Sequence, residues 1–274
     1  MRITYFPNQL ALNAQPVINA IITSCKNHGI SLVADSMDAD AAIIWSVLWN
    51  GRMAMNRQVY EHYQKNKRPV IVVDIGTLIR GVTWKIARDN ITSSGYYGHT
   101  ENLDWDRPAR LNVQLSQASG NHILIAAQHR NSLQLDGVDL ESWINQQITR
   151  IRQHTDRPIY IRPHPRCKLN LAQLPNNVKF ESPQLVPNTY DSFDIDYQCH
   201  AVVNYNSGPG IQAAIAGARP IVDASSLAHP VSMDIAMIEQ PYDIDRHQWL
   251  VEICHTEYTL NEIEQGIWIP RLKI

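Results

Sequence analysis

The sequence has little of several things, and each shortage excludes something. It has four cysteines in 274 residues, Cys25, Cys167, Cys199 and Cys254, far apart and without a Cys-x-x-Cys pair. That argues against a thiolate zinc site and fits a reduced, cytoplasmic setting. It has no excess of one charge: 24 Lys and Arg against 26 Asp and Glu leave a net charge of −2. Binding nucleic acid by bulk charge alone is thereby excluded, though a local basic groove is not. No apolar run approaches the ~20 residues that cross a bilayer, so no membrane span is expected. There is no internal repeat and no low-complexity tract. Met1 to Phe6 goes straight into a strand-like run, so no secretory signal is expected. What remains is ordinary globular composition, 44% hydrophobic and 18% charged, in a length that allows one large domain or two small ones.

The first half alternates strands and helices. Residues 2–6 read as a strand, and Pro16 to Lys26 as a helix with one apolar side, closed by His28-Gly29. Ile30–Val33 and Ala41–Trp45 read as strands, residues 53–66 as a helix, and Pro69–Val73 as a fourth strand. Such alternation predicts a parallel sheet covered on both faces. Ligands bind beyond the carboxyl ends of strands in sheets of this kind. That singles out Ser46–Arg52 after the third strand and Asp74–Gly81 after the fourth. Asp74 suits a general base taking a proton from an acceptor hydroxyl; it equally suits the cap of the next segment. Residues 89–120 are polar and irregular, with Tyr96, Tyr97, His99 and Trp105. They read as a cover for an acceptor or as a domain linker.

A second alternation begins at His122–Ala127 and ends in Gln128-His129-Arg130. Residues 139–154 read as a helix, and Pro158–Ile161 as a strand running into Arg162-Pro-His-Pro-Arg166. Prolines hold that piece extended. If it is β-like, Arg162, His164 and Arg166 share one side, a cationic edge for phosphate or carboxylate; a solvated turn is the alternative. In residues 200–222, Ala201–Val203 reads as a strand, Asn206-Ser-Gly-Pro-Gly210 as a turn, and Ile211, Ala214 and Ile215 as one face of a short helix ended by Gly217. Ser207 is the expected N-cap. A helix N-terminus with two glycines and a serine suits an anion; a well-capped α/β connection is the alternative. Asp223–Pro230 follows the next strand. Residues 245–255 and 259–266 read as terminal helices.

Two of these motifs carry a family resemblance. Ile159-Tyr-Ile-Arg-Pro-His-Pro165 resembles the strand and His-Pro motif of the capsular-polysaccharide and Kdo transferases. Asn204 to Val222 resembles their serine-rich turn, helix and following strand. The overlap covers roughly residues 120–230. Gln212 stands near the place of the family's helix glutamate, a departure that touches the ribose contact. The whole chain is also similar to short glycosyltransferase-like proteins of tailed bacteriophages, through Ala42–Met53 and Ile161–Cys167.

The resemblance implies an α/β fold with two Rossmann-like domains whose parallel sheets face across a cleft, the GT-B architecture. The expected boundaries are 1–118 for an acceptor domain, 119–245 for a donor domain, and 246–274 for helices packing back on the first. It implies a metal-independent glycosyltransferase with no bound cofactor and a nucleotide sugar, a UDP-sugar first, as co-substrate. Donor contacts fall on Arg130, Arg162, His164, Arg166, Asn206, Ser207, Gly208, Gly210 and His229. Asp74 is the catalytic base, with Trp49, Arg52, Gly76, Arg80 and His99 on the acceptor side. A hydroxylated pyrimidine in phage DNA is one acceptor, with Arg52, Lys67, Arg107 and Arg110 as DNA contacts; a phage-encoded enzyme would then work in the host cytoplasm. A surface polysaccharide or small molecule is another acceptor. A non-catalytic nucleotide-sugar-binding protein and a nucleotide-sugar epimerase are the competing classes. Asp-x-Asp pairs occur at 38–40, 104–106, 194–196 and 243–245. None directly follows a strand in the way a manganese site needs.

Overall fold

The computed structural model describes residues 1–98, 100, 103–171, 173–189 and 192–274. In chain order they form β1 (Arg2–Tyr5), α1 (Gln15–Asn27), β2 (Ser31–Ala34), β3 (Ala41–Trp45), α2 (Asn56–Lys65), β4 (Val70–Ile75), β5 (Thr83–Arg88) and α3 (Arg107–Arg110). There follow β6 (Ile123–Ala126), α4 (Leu140–Arg152), β7 (Ile159–Arg162), β8 (Val178–Phe180), β9 (Gln184–Leu185), β10 (Phe193–Asp194), β11 (Ala201–Asn204), α5 (Gly208–Ala216) and β12 (Arg219–Val222). The chain closes with α6 (His247–Cys254), β13 (Glu257–Thr259), α7 (Leu260–Glu264) and α8 (Trp268–Leu272). Two compact units result: Met1–Leu111 with Val251–Ile274, and Asn112–Leu250.

The first unit holds a six-stranded sheet in the order β13-β5-β4-β3-β1-β2. β2, β1, β3 and β4 are parallel, as the alternation predicts. β5 and β13 then add antiparallel, which the alternation does not announce. β3 is buried at every residue, the signature of a strand covered on both faces. The return from β4 to β5 requires glycine at position 76: a Cβ there would lie 2.1 Å from the carbonyl oxygen of Thr83. One face of the sheet carries Ile3, Ile43, Ile71, Val73 and Ile86, packed with Val17, Ile18 and Ile21 of α1 and Ile263, Trp268, Ile269 and Leu272 of the closing helices. Each such side chain contributes about 1.5–3 kcal/mol on full burial.

Arg107 shows why these closing helices stay in place. Its guanidinium pairs with both carboxylate oxygens of Glu262 and donates to the carbonyls of Cys254 and Glu257. Glu262 in turn completes a capping box with Thr259 at the start of α7. Arg107 is 5% exposed. The expectation that it touches DNA is therefore corrected: a buried, fully paired guanidinium has nothing left for a phosphate. Arg110 pairs with Asp104.

The second unit holds a five-stranded parallel sheet in the order β12-β11-β6-β7-β8. Ile144, Ile148 and Ile151 of α4 pack on one face with Ile123, Ile125, Ile159 and Ile161. The small residue Ala213 of α5 lets that helix lie close to Leu124 and Val202 on the other. Asp139 caps α4 through the Ser142 N–H. Gly217 ends α5 with φ of 88°, a left-handed conformation that glycine adopts without strain. A separate antiparallel ribbon pairs β9 with β10.

Candidate functional site

In the second unit the register sets Val222, Asn204, Ala126 and Arg162 side by side at the carboxyl ends of β12, β11, β6 and β7. The loops leaving that row are tied to one another. Asn204 is 1% exposed. Its amide donates to the Ala126 carbonyl at 2.7 Å and to the Ser207 hydroxyl at 3.0 Å. Its side-chain oxygen accepts the Ser207 N–H at 2.8 Å. The Asn206 N–H donates to Gln128 at 3.3 Å, and the Asn206 amide donates to the Ser225 hydroxyl at 2.8 Å. Ser225 donates on to Asp223 at 2.6 Å. Asn206, Ser207, Gly208 and Gly210 thus stand together at the start of α5. The expected cap is corrected: Ser207 holds the N-cap position with no side-chain cap bond, and its hydroxyl pairs with Asn204 instead. Gly210 is required by packing, since a Cβ there would lie 2.8 Å from Val222 Cγ1.

The cationic edge is only partly as expected. The chain is not β-like beyond Arg162, because the Cys167 N–H donates to the His164 carbonyl and turns it. Arg162 is buried; it donates to Glu181 at 2.5 and 3.1 Å and to the Asp196 carbonyl at 2.9 Å. Arg130 donates to Glu141 and to the Lys168 carbonyl, both at 2.7 Å. Both arginines brace loops; Arg162, buried with its donors engaged, is thereby corrected as a ligand cation, whereas Arg130 is exposed. His164 lies edge-on to His129 with centroids 5.2 Å apart, joining the loops after β6 and β7. Burial pushes the His129 imidazole below its ordinary value. His164 and Arg166, with Lys168, Phe180 and Ser182, line a recess of about 580 Å³. His229 is exposed at the head of a short turn after β12.

In the first unit Asp74 stands at the carboxyl end of β4. Its carboxylate accepts the Ser46 hydroxyl at 3.1 Å and the Ile75 N–H at 2.8 Å. Ser46, at the end of β3, has φ of 61°, a left-handed conformation that costs a serine about 1–3 kcal/mol and clusters at functional sites. Asp74 is half-buried, and enough protein surrounds its carboxylate to desolvate it. Burial raises its pKa above the ordinary carboxylate value, against the Ile75 N–H, Lys85, Ser46 and Arg80, which lower it. Trp49 is half-buried beside Tyr60, ring centroids 5.8 Å apart, and its indole N–H is buried without a hydrogen-bond partner. Arg52 and Arg80 are exposed, Gly76 is buried, and His99 lies outside the described residues. Among the described residues no group of three or more His, Cys, Asp or Glu side chains is arranged to hold a metal.

The sequence reading singles out the stretches that hold Ser46, Tyr97, Asn204 and Ser225 and names Gln128-His129 at a strand's end, but gives none of these side chains a role of its own. Position at a strand's carboxyl end is the signal for all of them but Tyr97. It misses Lys85 and Glu257, which nothing local marks.

No protein-family model matches the chain, and no curated protein matches it. Among solved structures it is similar to KpsC of Thermosulfurimonas dismutans, a beta Kdo 2,4 transferase, with a TM-score of 0.51 and 10% identity over 98% of both chains. The beta Kdo 2,7 transferase of the same organism aligns over 97% of this chain and 99% of that one, with a TM-score of 0.45 and 13% identity. The glycosyltransferase SnogD from Streptomyces nogalater aligns over 98% of both, with a TM-score of 0.32 and 10% identity. The first of these likenesses shows the fold alone: the chain has a mixed α/β, GT-B-like fold.

Proposed function

We propose that this protein is a glycosyltransferase that moves a sugar from a nucleotide-sugar donor to an acceptor hydroxyl. The observation that carries the reading is the bonded turn Asn204–Gly208, at the N-terminus of α5 and the carboxyl edge of a parallel sheet, within a GT-B-like fold. Backbone N–H groups and the helix dipole there favour a phosphate. His164 and Arg166 add hydrogen-bond donors and positive charge. Arg162, Arg130 and Gln128 hold the loops that present them.

The reaction is written as an inverting displacement. A general base takes the acceptor's O–H proton; within the first unit Asp74 is the candidate for that part. The freed oxygen forms a bond to the anomeric carbon as the bond from that carbon to the diphosphate oxygen breaks. The electron pair leaves with the nucleoside diphosphate. The N–H groups at the start of α5, with the Arg166 guanidinium and the His164 ring as a hydrogen-bond donor, stabilise that charge, in the place a metal would take. A hydroxylated pyrimidine of DNA is one acceptor of this class; Arg52 and Lys67, both exposed, would be its phosphate contacts.

The test is a thermal-shift panel of UDP-, GDP- and CMP-sugars with EDTA or manganese. Stabilisation by one donor, unchanged by metal, is expected. Silence across the panel, with no hydrolysis of any donor, would overturn the reading in favour of a protein that uses the scaffold for another ligand.

A further inference from the structure

Three charged residues stand in one row across β4, β5 and β13. Asp74 is the cross-strand partner of Lys85, and Lys85 is the partner of Glu257. Residues directly opposite in an antiparallel ladder project to one face with Cβ atoms roughly 5 Å apart. Lys85 is 6% exposed and Glu257 0%. A lysine is rarely buried without counter-charge, because its desolvated ammonium is costly. Here a carboxylate lies on either side. The Glu257 oxygens are already engaged: they accept the Thr77 N–H at 2.6 Å, the Leu78 N–H at 3.0 Å and the Thr83 hydroxyl at 2.7 Å.

We infer that Lys85 is a positioning residue for Asp74. Its buried ammonium holds the Asp74 carboxyl in the ionised form, while Glu257 flanks the lysine and fixes the loop that leaves β4. The catalytic meaning of this rests on the reading of Asp74 as the base of sugar transfer; the coupling itself does not. The groups about Asp74 come from several elements: Ser46 after β3, Arg80 in the loop after β4, Lys85 on β5, Tyr97 before α3 and Glu257 on β13. Lys85 and Arg80 favour the charged carboxyl. Tyr97 is held neutral, with burial first and then Glu257 and Asp74 pushing its hydroxyl well above its ordinary range. That hydroxyl is buried without a hydrogen-bond partner. A neutral phenol adds no charge to the row, which leaves lysine as its buried cation.

The experiment is a carbon-13 NMR titration of the Asp74 carboxyl in the wild type, Lys85→Met and Lys85→Arg. The titration is expected to move to higher pH in Lys85→Met and to stay near the wild-type position in Lys85→Arg. The acid limb of turnover, on the nucleotide sugar giving the largest thermal shift, should move with it. An Asp74 titration that stays put in Lys85→Met overturns the inference. If Lys85→Met does not fold, the wild-type Lys85 Cε resonance decides. It should show an inflection at the Asp74 titration that vanishes in Asp74→Asn, and a flat Cε profile overturns the inference equally. Intact coupling with unchanged turnover in Asp74→Asn would instead remove Asp74 as the base and leave the coupling standing.

Discussion

Asn204 holds Ser207 from two directions, donating to its hydroxyl at 3.0 Å and accepting its backbone N–H at 2.8 Å. The shape of the turn before α5 is thus set by a side chain three residues upstream. Because Asn204 also satisfies the buried Ala126 carbonyl, its removal leaves buried polar groups unpaired, at about 1–3 kcal/mol. Asn204→Ala should lower stability by that amount in urea unfolding and abolish the donor-induced thermal shift. A full donor shift in a folded Asn204→Ala protein would show that the turn does not depend on this brace.

Gly210→Ala probes the same turn from the packing side. The added carbon meets Val222 Cγ1 at 2.8 Å, so either β12 or α5 must move. Overpacking of this kind costs about 1–3 kcal/mol. Unfolding of Gly210→Ala should register that loss, and donor affinity should fall with it.

Asp74→Asn separates stability from activity. Burial raises the folded-state pKa of Asp74 above its unfolded value, so the proton is bound more tightly in the folded protein. The resulting cost of holding the carboxylate is absent below the unfolded pKa. It grows as pH rises through the folded pKa and is complete above it. Asp74→Asn should therefore raise the Tm at neutral pH, with the gain fading as pH falls into the ordinary carboxylate range. Turnover should drop roughly 100- to 10,000-fold, the usual share of a general base. A Tm gain independent of pH would show that the desolvation argument is wrong.

Glu239 gives the opposite pH dependence. Arg157 holds it at 2.8 and 2.9 Å. With Thr155 also donating, the carboxyl pKa is lowered from 4.5 to about 2, despite partial burial. Its folded pKa lies below the unfolded one, so the pair's contribution is whole above about 4.5 and disappears as pH falls toward about 2. The group is more than a third exposed, so screening keeps the contribution near or below about 1 kcal/mol. Glu239→Gln should be slightly less stable than wild type at pH 7 and indistinguishable in the most acidic melts.

A DNA acceptor makes its own demand. Binding should fall with salt at a logarithmic slope of roughly −0.9 per phosphate neutralised. Arg52→Ala and Lys67→Ala should each reduce that slope by roughly one. Activity on a small hydroxylated acceptor without salt dependence would point away from DNA.

The strands of the second unit were legible because parallel strands buried on both faces read as unbroken apolar runs: Ile123–Ala126, Ile159–Ile161 and Ala201–Val203 each do. β5 hid behind its own charges. Thr83-Trp-Lys-Ile-Ala-Arg88 alternates, but it does so with Lys85 on a buried face, where a lysine is not expected. β13 is three residues long and sits between helices, so no period could form. The same burial that concealed these strands is what sets Lys85 and Glu257 in register with Asp74. Arg162 misled for the converse reason. A cation at a strand's carboxyl end reads as a ligand contact, and only the fold brings Glu181 to meet it.

The first unit is completed by Val251–Ile274, which the chain reaches only after the whole of the second unit. Until then β5 has an unpaired edge, and the face beneath Trp268 and Leu272 has no cover. The second unit is contiguous from Asn112 to Leu250. On the ribosome the order of starting is thus the reverse of the order of finishing. The half that begins emerging first stays open longest, and a nascent chain stalled near residue 250 would expose an apolar sheet face that a chaperone could grip.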